Sequence, residues 1–344
     1  MELKESKQRK CGRCSKPHKI FLAYGPHYFC ENHFLEFFEK RVKKTIRKFH
    51  LISPGEKIVV GVSGGKDSLT TLFLLNEFFS ESNELTALML DEGIKGYRDK
   101  ALKIAVMQCR QWKIPFKIVK FKEKFGITMQ EIMKKIKGKG ELGSSCSFCG
   151  PMRRHLLNTA SRELKADKIA TGHNLDDEVQ SIAMNFFDND MLRMARLGAI
   201  AGVKPFNQFV PRIKPLYECP ESEIIAYANL KEIKYYGEEC CPFSWQAKRN
   251  EFRSMVNQME SKFPGTKYSI LRFFLQLKPL IESKYSKAEL KECSFCGAPS
   301  SKEYCALCTK LKNLSEQKIV RQGKAVTKKK GRKLSCAQTK KLKK

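Results

Sequence analysis

The chain has 344 residues, 42% of them hydrophobic, and a formal net charge of +30. That length and apolar content fill one large domain with appendages or two domains; no apolar run reaches the length of a membrane span, and the start MELKESKQRK is charged where a secretory leader would be expected to turn apolar. The expected compartment is therefore the cytoplasm, with no membrane partner. The 66 Lys and Arg against 36 Asp and Glu suit a polyanion, of which nucleic acid is the foremost candidate because counterion release rewards a cationic surface. Eleven of the basic residues fall between Arg321 and Lys344 with no acid among them, yet the rest of the chain is still strongly basic. Fourteen cysteines in a reducing compartment point to metal or catalysis rather than to disulfides.

In chain order, the first motif is Cys11-Gly-Arg-Cys14 with Cys30-Glu-Asn-His33. Two knuckles of this spacing let four donors collect around one tetrahedral ion, and structural zinc is the expected occupant. His18 and His27 lie inside the loop and rank below His33, whose spacing from Cys30 makes the knuckle. A basic helix is expected from His33 to His50, with Phe34, Phe37, Phe38, Val42, Ile46 and Phe49 near helical spacing. From Glu56 to Phe206 short apolar runs alternate with helical patterns: strands at 57–62, 85–90, 115–121 and 167–172, and helices from Asp67, around 97–112, from Thr128, over 153–164 and from Asp176. Such alternation predicts a doubly wound parallel α/β sheet. Residues 207–284 read as mostly helical.

Between the first strand and its helix stands Ser63-Gly64-Gly65-Lys66-Asp67-Ser68. Gly61, Gly64 and Gly65 can take positive φ and let backbone N–H groups and a helix N-terminus converge on an anion, with Ser63 and Ser68 adding hydroxyls. The spacing matches neither a Walker loop nor G-x-G-x-x-G. Further on, Cys146-Ser-Phe-Cys149 has no nearby second pair, and its expected partner is the Cys240-Cys241-Pro242 turn. Three thiolates over the C-terminal edge of a parallel sheet can hold a four-iron cluster with one iron open. Alternatively Cys149 and Cys241 could exchange as a persulfide pair, their pKa lowered by Arg153 and Arg154. Thr171-Gly-His-Asn-Leu-Asp-Asp-Glu follows a strand and opens a helix that Asn174 can cap. Asp176 there is an ordinary macrodipole complement or a site residue, whereas Asp177 is expected to be functional, holding magnesium or moving a proton. Last comes Cys293-Ser-Phe-Cys296 with Cys305-Ala-Leu-Cys308, a four-thiolate set for a second structural zinc.

The loop SGGKDS resembles the PP-loop of ATP pyrophosphatases. Together with the N-terminal finger and its Phe-rich helix, CSFCG, TGHNLDDE, the late Cys-Pro and the C-terminal ribbon, it makes nearly the whole chain similar to the ATP-dependent tRNA 2-thiouridine synthetases. The resemblance implies an adenine nucleotide alpha hydrolase-like fold, ATP with Mg2+ as the activating nucleotide, two Zn2+, a 4Fe-4S cluster and a homodimer. It implies tRNA as substrate and sulfide or a thiocarboxylated ubiquitin-like protein as sulfur donor. The nucleotide residues it implies are Ser63, Gly64, Gly65, Lys66, Asp67 and Ser68, with Leu90 and Gly172 beside base and ribose. The cluster cysteines are Cys146, Cys149 and Cys241, chosen over Cys240 because it directly precedes Pro242, and Arg153 meets phosphate charge. The implied domains are the finger and basic helix at 1–50, the PP-loop catalytic domain at 51–290, the ribbon at 291–312 and a basic tail at 313–344. The family covers enzymes for wobble position 34 and for position 54 of the T-loop, and the N-terminal stretch leans toward the latter. Rival readings are a cytidine 2-thiolase, a lysidine synthetase, or an RNA-binding zinc protein without activity; neither rival enzyme is expected to carry both zinc modules, and a mere scaffold has no need of Ser and Asp in the loop.

Overall fold

The computed structural model describes residues 9–136, 145–201, 209–237, 241–243, 247–285, 291–312 and 314. The chain opens with a hairpin, β1 (Ile20–Leu22) and β2 (His27–Phe29), and helix α1 (Glu31–Lys48). There follow β3 (Lys57–Val62), α2 (Lys66–Phe79), β4 (Glu84–Asp91), α3 (Arg98–Gln111), β5 (Phe116–Lys120), α4 (Phe121–Phe125), α5 (Met129–Ile136), α6 (Ser145–Glu163), β6 (Lys168–Thr171), α7 (Leu175–Phe187) and α8 (Met191–Ala195). Two short strands, β7 (Ile200–Ala201) and β8 (Arg212–Ile213), precede α9 (Glu221–Leu230), α10 (Arg249–Lys262) and α11 (Thr266–Tyr285). A second small hairpin, β9 (Lys291–Glu292) and β10 (Pro299–Ser300), follows, and residues 306–312 are helical.

The central sheet runs β5-β4-β3-β6-β8-β7, parallel except for β7. Its inner strands β3, β4 and β6 are buried on both sides, and period two sends alternate residues into separate cores. Ile58, Val60 and Val62 join Leu69, Leu72 and Leu102 on one face, while Val59, Leu88 and Leu90 meet Ile132, Phe148 and Met152 on the other. Strand order reverses between β3 and β6, so the crevice for a ligand opens where the SGGKDS turn and the TGHN turn leave adjacent strands.

The terminal modules are welded to opposite faces. Cys11, Phe29, Phe34 and Phe38 belong to the first core, and Cys293, Cys305, Leu307 and Cys308 to the second. A buried cluster also ties the first module to the catalytic part: Arg41 Nη1 and Tyr24 Oη both donate to Glu223 of α9 at 2.7 Å.

Among the described residues, 207–284 are mostly helical, as expected, while β8 pairs with β6 and extends the sheet; two residues are too few to leave a period in the sequence. One expectation needs correction. The helix expected from Arg153 begins at Ser145 and carries Pro151 within it, so Cys146 and Cys149 ride on helical turns rather than on a loop.

Candidate active site

The turn after β3 is held from within. Ser68 Oγ accepts from Ser63 N at 3.1 Å, lies 3.1 Å from Ser63 Oγ and donates to the Gly65 carbonyl at 3.0 Å. Of the three glycines expected at positive φ, only Gly64 takes it (+88°), and a Cβ there would stand 2.3 Å from the Ala101 carbonyl oxygen. The first N–H groups of α2 have no intrahelical partner and no side-chain cap, and Asp67 and Ser68 of this first turn line the crevice.

From the neighbouring strand, Gly172 comes so close that a Cβ would lie 2.7 Å from Asp67 C and Ser68 N. Asn174 caps α7 by accepting from Asp177 N at 3.0 Å, and its Nδ2 donates to Asp67 Oδ1 at 3.0 Å. Asp177 closes the reciprocal bond of the capping box and pairs with Arg249 at 3.1 Å. The resulting cleft of about 220 Å³ is lined by Ser63, Asp67, Ser68, Leu90, Gly172 and Asp177, among others. Burial pushes the Asp67 carboxyl up, Lys66 pulls it back, and the charge of Asp177 adds to the rise. Two carboxylates facing one cleft at such a cost suit a divalent cation. Lys66 does not line the cleft; its Nζ reaches Glu221 at 2.6 Å and Asp67 at 3.3 Å. Asp176 is structural, buried against Lys267 and accepting from Glu221 N at 2.8 Å.

Between this cleft and the cysteines lies a cluster the sequence did not announce. Glu92, just past β4, is 1% exposed and pairs with Arg98 of α3 and, at 3.3 Å, with Arg153 of α6. Arg98 Nη1 also donates to the Ser63 carbonyl at 2.8 Å, so one carboxylate bridges the phosphate turn and the cysteine helix. The available signal was positional: an acid at the C-terminal end of a central parallel strand stands at the mouth of the crevice.

Cys146 is exposed, and Cys149 and Cys241 are half-buried. Ser145 Oγ donates to the Phe243 carbonyl at 2.5 Å and fastens the Cys241 segment to the start of α6. The three thiols lie within electrostatic reach of one another but are not gathered within 4.8 Å as the terminal sets are. That is the looser arrangement a cluster of several irons, rather than a single ion, would span. The expected depression of their pKa is not found: burial pushes Cys149 up to about 12 and raises Cys241. Arg153 pulls Cys149 down, but its charge is already answered by Glu92, and Arg154 lines a different cleft. Cys240 lies outside the described residues.

At the termini the geometry is tighter. Cys11, Cys14, Cys30 and His33 bring their donor atoms within 4.8 Å of one another, as do Cys293, Cys296, Cys305 and Cys308. His33 Nδ1 stands 3.4 Å from Cys11 Sγ and 3.3 Å from Cys30 Sγ, whereas His18 is engaged by the Arg9 carbonyl at 2.6 Å. Both sets could hold a metal ion with no open position.

A family model of the PP-loop domain matches residues 35–260. The tRNA-5-methyluridine(54) 2-sulfurtransferase of Pyrococcus horikoshii is 36% identical over 299 residues, covering 87% of this chain and 92% of that protein. The chain belongs to the PP-loop tRNA 2-thiolation family. Within that family, the cytoplasmic tRNA 2-thiolation protein 1 of Danio rerio is 34% identical, covering 89% of this chain and 88% of its own. The solved structure of the U34-tRNA thiolase NcsA from Methanococcus maripaludis, with its 4Fe-4S cluster, matches at a TM-score of 0.75 and 36% identity over 89% of this chain and 96% of that one. Among the described residues, no helix is long and apolar enough to cross a membrane.

Proposed function

We propose that the protein is an ATP-dependent tRNA uridine 2-sulfurtransferase of the cytoplasm. The observation that carries this reading is one buried carboxylate, Glu92, joining the PP-loop to the cysteine-bearing helix, so that nucleotide and sulfur chemistry meet at one sheet edge.

Ser63, Ser68 and the N-terminus of α2 cradle the phosphates of ATP, while Leu90 and Gly172 border the base and ribose. Asp67 and Asp177 hold Mg2+, which offsets their mutual repulsion. The C2 oxygen of uridine attacks the α-phosphorus and pyrophosphate departs, its growing charge met by the turn and by Arg153. Sulfide then adds at C2, and the adduct collapses with loss of AMP to leave 2-thiouridine. Cys146, Cys149 and Cys241 are the residues that would hold a 4Fe-4S cluster, which supplies, when bound, an iron position free to retain sulfide. Zn2+ fills each terminal set. The sulfur comes from sulfide or a thiocarboxylated ubiquitin-like protein. A homodimer is supported by the exposed apolar surface at Phe186, Phe187, Met259 and Phe263.

Mass analysis of tRNA from a deletion strain tests the reading, with loss of 2-thiouridine at position 34 or 54 expected. Unchanged thiolation at both positions refutes it. Pyrophosphate release on mixing ATP with tRNA should vanish in Asp67→Ala.

A further inference from the structure

We infer that the cleft between α6 and the C-terminal four-cysteine module is a groove for an RNA phosphodiester backbone, with Arg154, Arg162 and Arg212 as its phosphate contacts. The inference deepens the tRNA reading above and rests on it. The cleft encloses about 470 Å³; His155 and Asn158 of α6 share its wall with those arginines, and Glu292 with residues 296–298 and 305–307 of the module face them.

Three features select the ligand. Among the described residues no ion pair joins Arg154, Arg162 or Arg212 to a carboxylate, in contrast to Arg41, Arg98 and Arg249, which each have one. The cationic groups instead crowd one another: desolvation and then neighbouring Arg154 push Arg212 down, and Arg193 and Arg153 act on Arg154 with like charge. Such repulsion is tolerated where an anion relieves it. Second, Arg154 and Arg162 stand eight residues apart on one helix, about 12 Å along its axis, which is too far for one phosphate and suits a chain of them. Third, Phe209, 37% exposed, lines the same cleft and offers an aromatic face for a base.

Position completes the argument. Consecutive residues of α6 serve the two sides: Arg153 faces Glu92 and the nucleotide cleft, and Arg154 faces the groove. The same helix carries Cys146 and Cys149 in its first turns, so RNA held there lies along the element that bears them.

The test is binding of a tRNA transcript across a salt series by the full chain, by Arg154→Ala/Arg212→Ala and by Arg154→Lys/Arg212→Lys, with thermal midpoints confirming that each is folded. The alanine pair should weaken binding about tenfold or more and lower the slope of log affinity against log salt by about two; the lysine pair should recover most of the slope. Inorganic pyrophosphate is the second probe. Loss in the alanine pair of a pyrophosphate site additional to the one at the SGGKDS turn, with parental tRNA affinity and slope, would make the groove a small-anion site and overturn the inference. Unchanged affinity and slope for both probes overturns it as well, while leaving the thiolase reading intact. If the parent protein itself does not bind tRNA, both fall.

Discussion

Glu92 concentrates more of the site's organisation than any residue named by motif. It is buried with two guanidiniums on it, and one of these fixes the carbonyl of Ser63 in the phosphate turn. Removing one member of a buried pair typically costs about 3–5 kcal/mol, because the partner charge is left without compensation. Glu92→Gln keeps the shape and deletes the charge. It should lower the unfolding midpoint and slow pyrophosphate release together, read by thermal melting and a coupled phosphate assay; an unaltered rate in a destabilised protein would show that the cluster is structural alone. Asn174 is a second residue with two duties, capping α7 and orienting Asp67. Asn174→Ala should cost about 1 kcal/mol for the lost cap and should also raise the ATP concentration needed for half-maximal turnover, which capping alone would not do.

At the scale of elements, α6 shares its core with the C-terminal module. Phe148, Met152 and Leu156 pack in the same cluster as Cys293, Cys305 and Leu307. A module of this size has little core of its own, and the Zn2+ proposed for its four cysteines would supply the energy to fold it. Cys305→Ser should therefore expose the face of α6 and reduce iron retention at Cys146 and Cys149, although neither is touched. Anaerobic iron and zinc analysis checks this, and full iron with lost zinc would contradict it. Helix α5 offers a pH probe. Lys122, followed by the Thr128 backbone N–H, holds the Glu131 carboxyl down at about 2. A depressed carboxylate lends stability above its ordinary pKa, about 4.3, and that contribution is lost as pH falls through about 2. The carboxyl carbon resonance of Glu131 should titrate near the lower value, and in Lys122→Ala it should move up toward the ordinary one.

Over the whole molecule, the described apolar surface is unevenly spread. Phe186 and Phe187 are 74% and 65% exposed, and Phe187 packs on Phe252 of α10, whose Met259 is also exposed. Grouped aromatic exposure of this kind marks a contact surface. A second copy of the chain covering it is the arrangement proposed above. Phe186→Asp/Phe187→Asp should convert the dimer to monomers in sedimentation velocity while leaving the thermal midpoint within a few degrees, since neither side chain is in the core; a parent protein that sediments as a monomer removes the proposal.

What the sequence determined by itself was everything encoded in neighbouring residues. Both terminal donor sets, the SGGKDS turn, the Asn174 cap and the continuous apolar strands are local patterns, because a knuckle, a turn or a period needs only a few consecutive side chains. Tertiary structure decided what depends on residues far apart in the chain. It brought Arg98 to Ser63 and Arg153 to Glu92, turned Lys66 away to Glu221, and inserted β8 beside β6. It also reversed the expected acidity of Cys149, because desolvation is set by what packs around a thiol, and sequence proximity to Arg153 conveys neither that burial nor the carboxylate that already claims the arginine.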